Sequence, residues 1–516
     1  METEVLEVQG PVQRPDSIRQ KLGTAAWGHG ASTFIANGVP FSFTTGPEVA
    51  DRVCACAAFL AEVRSSVGIH DVGAGTGYLT RHVIEAVSRR SDGLVKQCHF
   101  VASDSSPGMV TTMKEVLSDT SDVRIDARVA DALSVDDLLE GGCSLVVMSY
   151  LVDAIPPKHV IESAEGLKDL LIQTYVVADA PVVDASVWPP RVLSGETLAD
   201  VLRTDPASLC PGAVLQVLPL LLEAAVEGQP AESGDAPLAN TRADMVSVVG
   251  ELVDRLEEES IILLTDFGYS NGIGPNDVDP LMTEYGSATC FAVFFDEFVR
   301  AAEAAGALCF LDADGPGKTH TLLIYKGDRA DAFGKVVSRL TKPKVQPIGI
   351  PASDEEIADA DAKVRLAIAG DQPVSYADLA NLAHLHVFRG KPEVARYYAD
   401  QCDKHFGRIA APEQLLLGDL AADDGDLEQA LAYYERARGT ARTYGSTHLK
   451  SAGIFLGSEL ISEYADAMRA YLYVTDEPMP EHLGWLQGDR EGIPVAVRAE
   501  YEQLCRAEFE AEDAQP

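Results

Sequence analysis

The sequence predicts an α/β domain built on an open, mostly parallel sheet, followed by an all-α domain. Three observations support this fold class. Strand-like and helix-like segments alternate from about residue 46 to residue 330, and a glycine-rich turn joins the first of these strands to a helix. Further along, a helical pattern recurs at an offset of 35 residues. The chain of 516 residues has room for about two to four domains.

The α/β domain is predicted to span residues 46–330, behind an irregular arm at 1–45 that is polar and rich in glycine. Its strand candidates, in chain order, are IHDV, CHFVASD, VRIDARVAD, SLVVMSY, IILLTDFG, ALCFLDA and THTLLIYKG. More than a hundred residues separate the fourth from the fifth, which is too long for a simple crossover. The gap holds one strand-like run, TYVVADAPVV, and then helical stretches, so we expect a helical insertion at about 157–258. It either shapes a substrate cavity or lid, or forms a surface subdomain without a role at the site.

A linker is predicted at 341–355, where the prolines cluster, and an all-α domain at 356–516. LAHLHVFRGKPEVARYYADQC aligns with LGDLAADDGDLEQALAYYERA at the 35-residue offset, and a weaker third copy lies around KSAGIFLGSELISEYADAM. Small Ala430 and Ala437 would let paired helices approach closely, with Tyr434 filling the gap between them. The pattern resembles the tetratricopeptide repeat. Such a domain either binds a peptide, partner protein or second subunit, or braces the catalytic domain.

Charge and cysteine content exclude several classes of function. The chain has 80 Asp and Glu residues and only 41 Lys and Arg residues, a net charge of −39. Because a nucleic-acid binder needs a basic surface, no nucleic-acid partner is predicted. The acidity fits a small or cationic partner, or simply keeps the protein soluble. Nine scattered cysteines without a CxxC pair indicate reduced thiols in the cytoplasm. No metal site is predicted, and no apolar run is long enough to span a membrane.

A glycine turn follows the first predicted strand, in IHDVGAGTGYLT. Gly73, Gly75 and Gly77 alternate with other residues, and Asp71 precedes them. A strand that ends in glycines and opens a helix brings backbone N–H groups close to a ligand. The last glycine of a dinucleotide fingerprint would fall on Tyr78. The spacing instead resembles motif I of class I S-adenosylmethionine (SAM) methyltransferases, which implies SAM as the cofactor and a Rossmann-like sheet.

Acidic residues also end the next two predicted strands. Asp104 can accept hydrogen bonds from the two ribose hydroxyls of the cofactor, and Asp131 can reach its adenine amino group. Because the carboxyl ends of parallel strands meet at one edge, these acids and Asp71 face the same crevice. Any single one could instead cap a helix. The resemblance adds Ala132 and Ser149 to the cofactor-binding set.

Further short elements narrow the resemblance. In chain order they are FSFTTGPEVADRV, SYLVDAIPP, ILLTDFGYSNG and FFDEFVRAAEAAGA. Together they resemble the MidA-like methyltransferases, relatives of the mitochondrial complex I assembly methyltransferase, over about residues 40–327. Members of that family are associated with arginine methylation in a protein. The repeat-like tail lies outside the usual family pattern.

The family's motifs map onto specific residues of this chain. The matching residues are Thr45, Pro47 and Glu48 for a T-S-P-E element, Asp153, Ala154 and Pro156 for an N-E-x-x-D-A-L-P element, and Asp266, Gly268 and Tyr269 for a D-Y-G-Y element. The family's Asn-Glu pair is Ser149-Tyr150 here, so one carboxylate is missing. This departure favours an acceptor other than a protein arginine and leaves the expected methyl transfer unchanged.

A guanidinium nitrogen is a poor nucleophile, because its pKa exceeds about 12. An enzyme acting on it needs carboxylates that pair with the cation and accept the released proton. Glu48 and Asp153 are the candidates, with Tyr150, Asp266 and Tyr269 completing the site. Asp153 could instead cap a helix starting at AIPP, and Tyr269 could simply pack.

The leading hypothesis is a SAM-dependent N-methyltransferase acting on a guanidino nitrogen of free arginine or an arginine-derived metabolite. One alternative is a protein arginine methyltransferase whose repeat domain docks the target protein. Another is a non-catalytic assembly scaffold built on the repeats. The repeat domain is also the predicted surface for a homodimer or for a partner protein. His29, in the N-terminal arm, is either a general base or an ordinary loop histidine.

Overall fold

The computed structural model describes most of the chain. The described residues are 5–28, 30–36, 46–118, 120, 123–163, 166–178, 182–186, 191–230, 240–241, 243–270, 282–285, 288–313, 318–340, 351–442, 444–458 and 460–475. His29 and Thr45 lie outside them. So do most of the predicted linker and the end of the helical domain beyond residue 475.

The elements fall into four groups along the chain. The first group is β1 (Val5–Val12), α1 (Ile18–Trp27), α2 (Ala31–Ala36), α3 (Pro47–Ala61), β2 (Val67–Val72), α4 (Tyr78–Arg90), α5 (Asp92–Gln97), β3 (Cys98–Asp104), α6 (Pro107–Leu117), β4 (Ile125–Val129), α7 (Val135–Leu139) and β5 (Leu145–Ser149). The second is β6 (Lys158–Ser163), β7 (Gly166–Val177), β8 (Val182–Asp184), β9 (Arg191–Leu193), α8 (Gly195–Thr204), α9 (Pro211–Val217), β10 (Leu221–Pro230), β11 (Asn240–Thr241) and α10 (Ala243–Arg255).

The third group returns to the central sheet and the fourth is all helix. The third is β12 (Ser260–Tyr269), β13 (Met282–Tyr285), β14 (Ala288–Phe291), β15 (Val293–Phe294), α11 (Phe295–Ala304), β16 (Leu308–Ala313), β17 (Lys318–Lys326) and α12 (Ala330–Val337). The fourth is α13 (Asp354–Ala369), α14 (Tyr376–Phe388), α15 (Pro392–Phe406), α16 (Ala411–Asp423), α17 (Leu427–Thr440), α18 (Gly445–Gly457) and α19 (Ile461–Val474).

The central sheet has the order β4-β3-β2-β5-β12-β17-β16, with β15 paired to the end of β12. The pairs from β4 through to β12 are parallel, and β17 runs antiparallel to both of its neighbours. All seven strand candidates are strands of this sheet. Helices cover both faces, so β2 and β5 are buried along their whole length. The predicted α/β class with a parallel-rich, Rossmann-like sheet is confirmed.

The insertion after β5 contains more strands than the single strand-like run predicted, which corrects the expectation of a helical insertion. Its β6, β7, β10 and β11 form an antiparallel sheet, alongside the helices α8 and α9. The Leu-, Ala- and Glu-rich β10 has the composition of a helix, yet it pairs with β7 from Leu221 to Glu227. Pairing with a distant strand outweighs local propensity here.

The N-terminal arm is also more regular than predicted. β1 joins the sheet of the insertion as an antiparallel neighbour of β7, pairing Val5 with Val177. The helix α1 packs into the same apolar core through Ile18 and Leu22. Since the partner of β1 lies more than 150 residues further along the chain, no local pattern marks it as a strand.

Between residues 351 and 475, the described part of the helical domain contains α13 followed by three antiparallel helix pairs, α14–α15, α16–α17 and α18–α19. The second pair starts 35 residues after the first, and the third starts 34 residues after the second. The third pair corresponds to the weakest of the three sequence copies. Ala430 and Ala437 are fully buried, and Tyr434 packs on Gly418 so closely that a Cβ there would lie 2.3 Å from its ring. The predicted contact between paired helices is confirmed.

Within the described residues, no helix is long and apolar enough to cross a membrane. The same part of the chain contains no cluster of side chains suited to a metal ion. Its eight cysteines are free thiols, six of them buried.

Candidate functional site

The carboxyl ends of β2, β3, β4, β5 and β12 meet at one edge of the sheet and define a crevice. The helix α3 runs back along β2, which it precedes by a short loop, so its N-terminus lies at the same edge. All the predicted site residues in the described part of the chain therefore sit on elements that end or begin there.

The glycine turn links β2 to α4. Gly73, Gly75 and Gly77 all adopt positive φ (66°, 54° and 83°), a conformation that other residues rarely take. A Cβ at Gly73 would lie 2.6 Å from Leu151, and one at Gly77 would lie 2.9 Å from Met113. At Gly75 nothing lies within 4 Å of the position a Cβ would take. The left-handed backbone favours glycine at all three positions, and the outer two also lie close to side chains, while the middle one faces open space that a ligand can fill.

Asp71 lies beneath the turn and is buried. The hydroxyl of Thr80 donates to its Oδ2 (2.6 Å), which ties the end of β2 to the first turn of α4. Burial raises the pKa of Asp71 to about 7, against the opposing hydrogen bond from Thr80, and the nearby Asp104 raises it further. A buried acid with this pKa is easily ionised by an approaching cation.

Asp104 ends β3 and is bonded directly to the glycine turn. Its Oδ2 accepts the N–H of Gly75 (3.1 Å), and its Oδ1 accepts the N–H of Ser106 (2.9 Å). Burial raises its pKa, although both backbone donors act in the opposite direction. Each oxygen keeps a second lone pair, so the carboxylate can still accept hydrogen bonds from a diol.

Asp131 and Ala132 follow β4 in a tight loop. Oδ1 of Asp131 accepts the N–H of Leu133 (2.9 Å), and the backbone N–H of Asp131 donates to Asp137 (3.0 Å). The Asp131 side chain is exposed, while Ala132 is half-buried against the core on that face of the sheet. The loop therefore holds an exposed carboxylate at the edge of the sheet where the crevice lies.

Ser149 and Tyr150 end β5. Ser149 is buried, and its Oγ has no hydrogen-bond partner in the part of the chain that the structure describes. Tyr150 has φ of 51°, unusual for a residue with a side chain, and its hydroxyl lies 2.7 Å from that of Thr319 on β17. Strained backbone of this kind clusters at functional sites. The strain turns the chain sharply at the edge of the crevice.

Asp266 holds the loop after β5 in place. Its Oδ2 accepts the N–H of Asp153 (3.0 Å), its Oδ1 accepts the N–H of Phe267 (2.8 Å), and the side chain is 1% exposed. Asp153 is buried as well, and its carbonyl accepts the N–H of Phe291 (2.8 Å). Residues 151–157 form turns, so Asp153 does not cap a helix at AIPP. The two aspartates form one unit in which Asp266 positions Asp153.

Tyr269 is half-buried and stacks on Phe294, with the ring centroids 5.8 Å apart. The close approach of β15 makes this contact possible, because a Cβ at Gly268 would lie 2.0 Å from the carbonyl oxygen of Val293. Packing thus accounts for part of the Tyr269 side chain.

Glu48 lies in the first turn of α3 and retains exposed surface. Nearby protein nevertheless desolvates its carboxyl enough to raise the pKa, and Asp378 and Asp51 raise it further, against its own backbone N–H. Asp378 belongs to α14, so the helical domain reaches the neighbourhood of Glu48. Its proximity was not predicted from the sequence.

The sequence also gave no sign that the helical domain packs beside the glycine turn. Tyr78, the first residue of α4, is 2% exposed, and its ring lies 5.1 Å from that of Phe406 at the end of α15. The sequence feature at this contact is Tyr78 itself, an aromatic residue at the position where a dinucleotide fingerprint has glycine.

No protein-family model and no curated protein matches the sequence. Among solved structures, a protein from Burkholderia thailandensis with bound S-adenosylhomocysteine (SAH) is 14% identical to this chain. The match covers 62% of this chain and 88% of that protein, with a TM-score of 0.40. An O-methyltransferase family 2 protein from Planctomyces limnophilus in complex with apigenin is 13% identical over 61% and 62%, with a TM-score of 0.28. An O-methyltransferase family protein from Burkholderia thailandensis is 8% identical over 53% and 55%, with a TM-score of 0.28. Similarity at this level decides nothing about activity.

Proposed function

We propose that this protein is a SAM-dependent methyltransferase. One observation carries the proposal: the backbone N–H of Gly75 donates a hydrogen bond to the carboxylate of Asp104, and the space over Gly75 is open. The turn and the acid belong to neighbouring parallel strands at the crevice edge. A cofactor that combines an amino-acid part with a ribose would find both of its contacts there.

The residues present fit this cofactor. Gly73, Gly75 and Gly77 would lie against its methionyl part, and Asp104 would accept from its ribose. Bound there, SAM supplies an electrophilic methyl group on a positively charged sulfur. Asp71, whose pKa is raised to about 7, would ionise opposite the cofactor's cationic groups.

Further cofactor contacts are assigned to the loops after β4 and β5. Asp131 and Ala132, after β4, would face the adenine. Ser149, at the end of β5, would border the amino-acid end.

We further propose that the methyl acceptor is a guanidino nitrogen of arginine or an arginine-derived metabolite. A cluster of three carboxylates supports a cationic acceptor. Asp51 and Asp378 lie close enough to Glu48, at the crevice end of α3, to raise its pKa, and such a cluster attracts a positive charge. Glu48 would pair with the cation, and its raised pKa improves it as a proton acceptor. Asp153 would orient the guanidinium fork, held in place by Asp266. Tyr150 and Tyr269 would line the far side.

Two measurements test the methyl transfer. Calorimetry with SAH should show binding, and no heat at ~1 mM ligand would contradict the cofactor assignment. Incubation with SAM and L-arginine should yield a product one methylene heavier by mass spectrometry. A panel of other guanidino compounds extends the assay to metabolites. No product from any of them, with SAH binding intact, would reject the guanidino acceptor and keep the cofactor.

Glu48→Gln tests the role of the carboxylate. The change keeps shape and hydrogen bonding but removes the charge, and a charge-assisted contact is worth about 1.5–3 kcal/mol. We expect kcat/KM to fall roughly ten- to a hundredfold while SAH affinity stays the same. Glu62→Gln, at the opposite end of the same helix, is the control. Weaker SAH binding in Glu48→Gln, with acceptor binding unchanged, would place Glu48 in the cofactor site instead.

A further inference from the structure

Tyr78 directly follows the last glycine of the turn, yet its side chain is buried away from solvent. It belongs to an apolar core that consists mainly of residues from the helical domain. Its ring packs against Phe406, which is 1% exposed, and Phe406 also contacts His82 one turn further along α4. The backbone N–H of Arg408 approaches the Tyr78 hydroxyl at 3.4 Å, so ring packing rather than this long hydrogen bond makes the contact.

The surrounding residues show that this contact is part of a continuous interface. Ile35 of α2 and Val116 of α6 join the same apolar core, and Arg408 forms an ion pair with Glu115 at its rim (3.1 Å). The helix α6 also supplies Met113, against which Gly77 packs. The helical domain therefore lies against the elements on both sides of the turn.

This arrangement matters because three left-handed glycines in five residues form a segment with much conformational freedom to lose. A ligand pays less to order such a segment when the protein already holds it in the bound shape. Asp104 and Thr80 hold the turn from the side of the sheet. Tyr78 is its anchor on the side of the helical domain.

We propose that Phe406 is a positioning residue for the cofactor: through Tyr78 it fixes the glycine turn, so that cofactor affinity depends on the helical domain. The inference rests on the proposed function, since it takes this turn as the SAM site. The helical domain then acts as a part of the cofactor site, in addition to any partner that it binds.

Phe406→Leu tests the proposal against a matched control. Tyr434→Leu removes an aromatic ring of similar burial whose contacts, to Gly418 and Asp419, lie within the helical domain. We expect both variants to lower the melting temperature. Only Phe406→Leu should raise the Kd for SAH, by about fivefold or more.

Hydrogen exchange of residues 73–80 without ligand gives an independent readout. Exchange there should accelerate in Phe406→Leu and stay unchanged in Tyr434→Leu. Wild-type SAH affinity and exchange in Phe406→Leu, or equal losses in both variants, would overturn the proposal. If the wild type itself does not bind SAH, the proposed function fails, while faster exchange in Phe406→Leu alone still shows the positioning contact. Should Phe406→Leu not fold, Phe406→Met makes the same comparison with a smaller loss of volume.

Discussion

At the scale of single residues, the state of Asp71 links stability to pH. Burial raises its pKa from 3.8 to about 7, so the folded protein holds a proton that the unfolded chain has already released. The stabilisation from this proton is complete below about pH 4 and is lost as the pH rises through 7. We expect Asp71→Asn to remove a stability loss on the order of 3 kcal/mol between pH 4 and pH 8. Urea unfolding at both pH values measures it.

The Asn side chain can still accept the hydrogen bond from Thr80, so the comparison isolates the charge. Asp104 and Glu48 also have raised pKa values, and a residual slope is therefore expected. A slope in Asp71→Asn as steep as in the wild type would assign the retained proton to those groups.

Gly75 separates backbone strain from space for a ligand. In Gly75→Ala the left-handed backbone costs about 1–2 kcal/mol, while the new methyl group meets no protein atom within 4 Å. Gly142→Ala makes a matched control, since Gly142 also has positive φ and open space but precedes β5, at the opposite end of the sheet. Both variants should lose similar stability in thermal melts. Only Gly75→Ala should weaken SAH binding, by about tenfold or more, and equal affinities would show that no ligand lies over Gly75.

At the scale of elements, Asp266 joins β12 to the loop after β5. Asp266→Ala leaves the N–H groups of Asp153 and Phe267 without an acceptor, at about 1–3 kcal/mol for each donor that stays buried. We expect faster hydrogen exchange at 150–154 together with a fall in kcat. Asp266→Asn, which keeps one acceptor oxygen, should be intermediate. Unchanged exchange at 150–154 in Asp266→Ala would show that other contacts hold this loop.

Elements that signal locally could be predicted from the sequence, and elements that depend on distant partners could not. The inner strands β2 and β5 are buried on both faces, and short local motifs mark the glycine turn and Asp104. β1 and β10 become strands only by pairing with β7, which no local pattern shows. For the same reason the sequence marked Asp266 as a site residue without revealing that it binds backbone N–H groups of a loop more than a hundred residues away.

At the scale of the whole molecule, the helical domain contacts both the central-sheet domain and the insertion. The helix pair α14–α15 packs against α4 through Phe406 and Tyr78, and α19, the last helix that the structure describes, packs against α9 of the insertion. There Gln216 donates to the carbonyl of Thr475 (3.2 Å) and also binds the backbone of Val183. The sheet, the insertion and the helical domain thus form a closed ring of contacts. The repeat period predicted the helices, but not where they dock.

Gly212 tests the closure of this ring. A Cβ on Gly212 would lie 2.4 Å from the carbonyl oxygen of Thr475, so Gly212→Ala must push α19 away from α9. Overpacking of this kind costs about 1–3 kcal/mol. We expect faster hydrogen exchange in both α9 and α19 with SAH affinity unchanged, because the glycine turn lies at the other end of the helical domain. Gly453→Ala, at an open position in α18, should instead increase the free energy of unfolding by about 0.5–1 kcal/mol. If Gly212→Ala also loosens residues 73–80, the helical domain transmits strain from the insertion to the glycine turn, and its two contacts do not act independently.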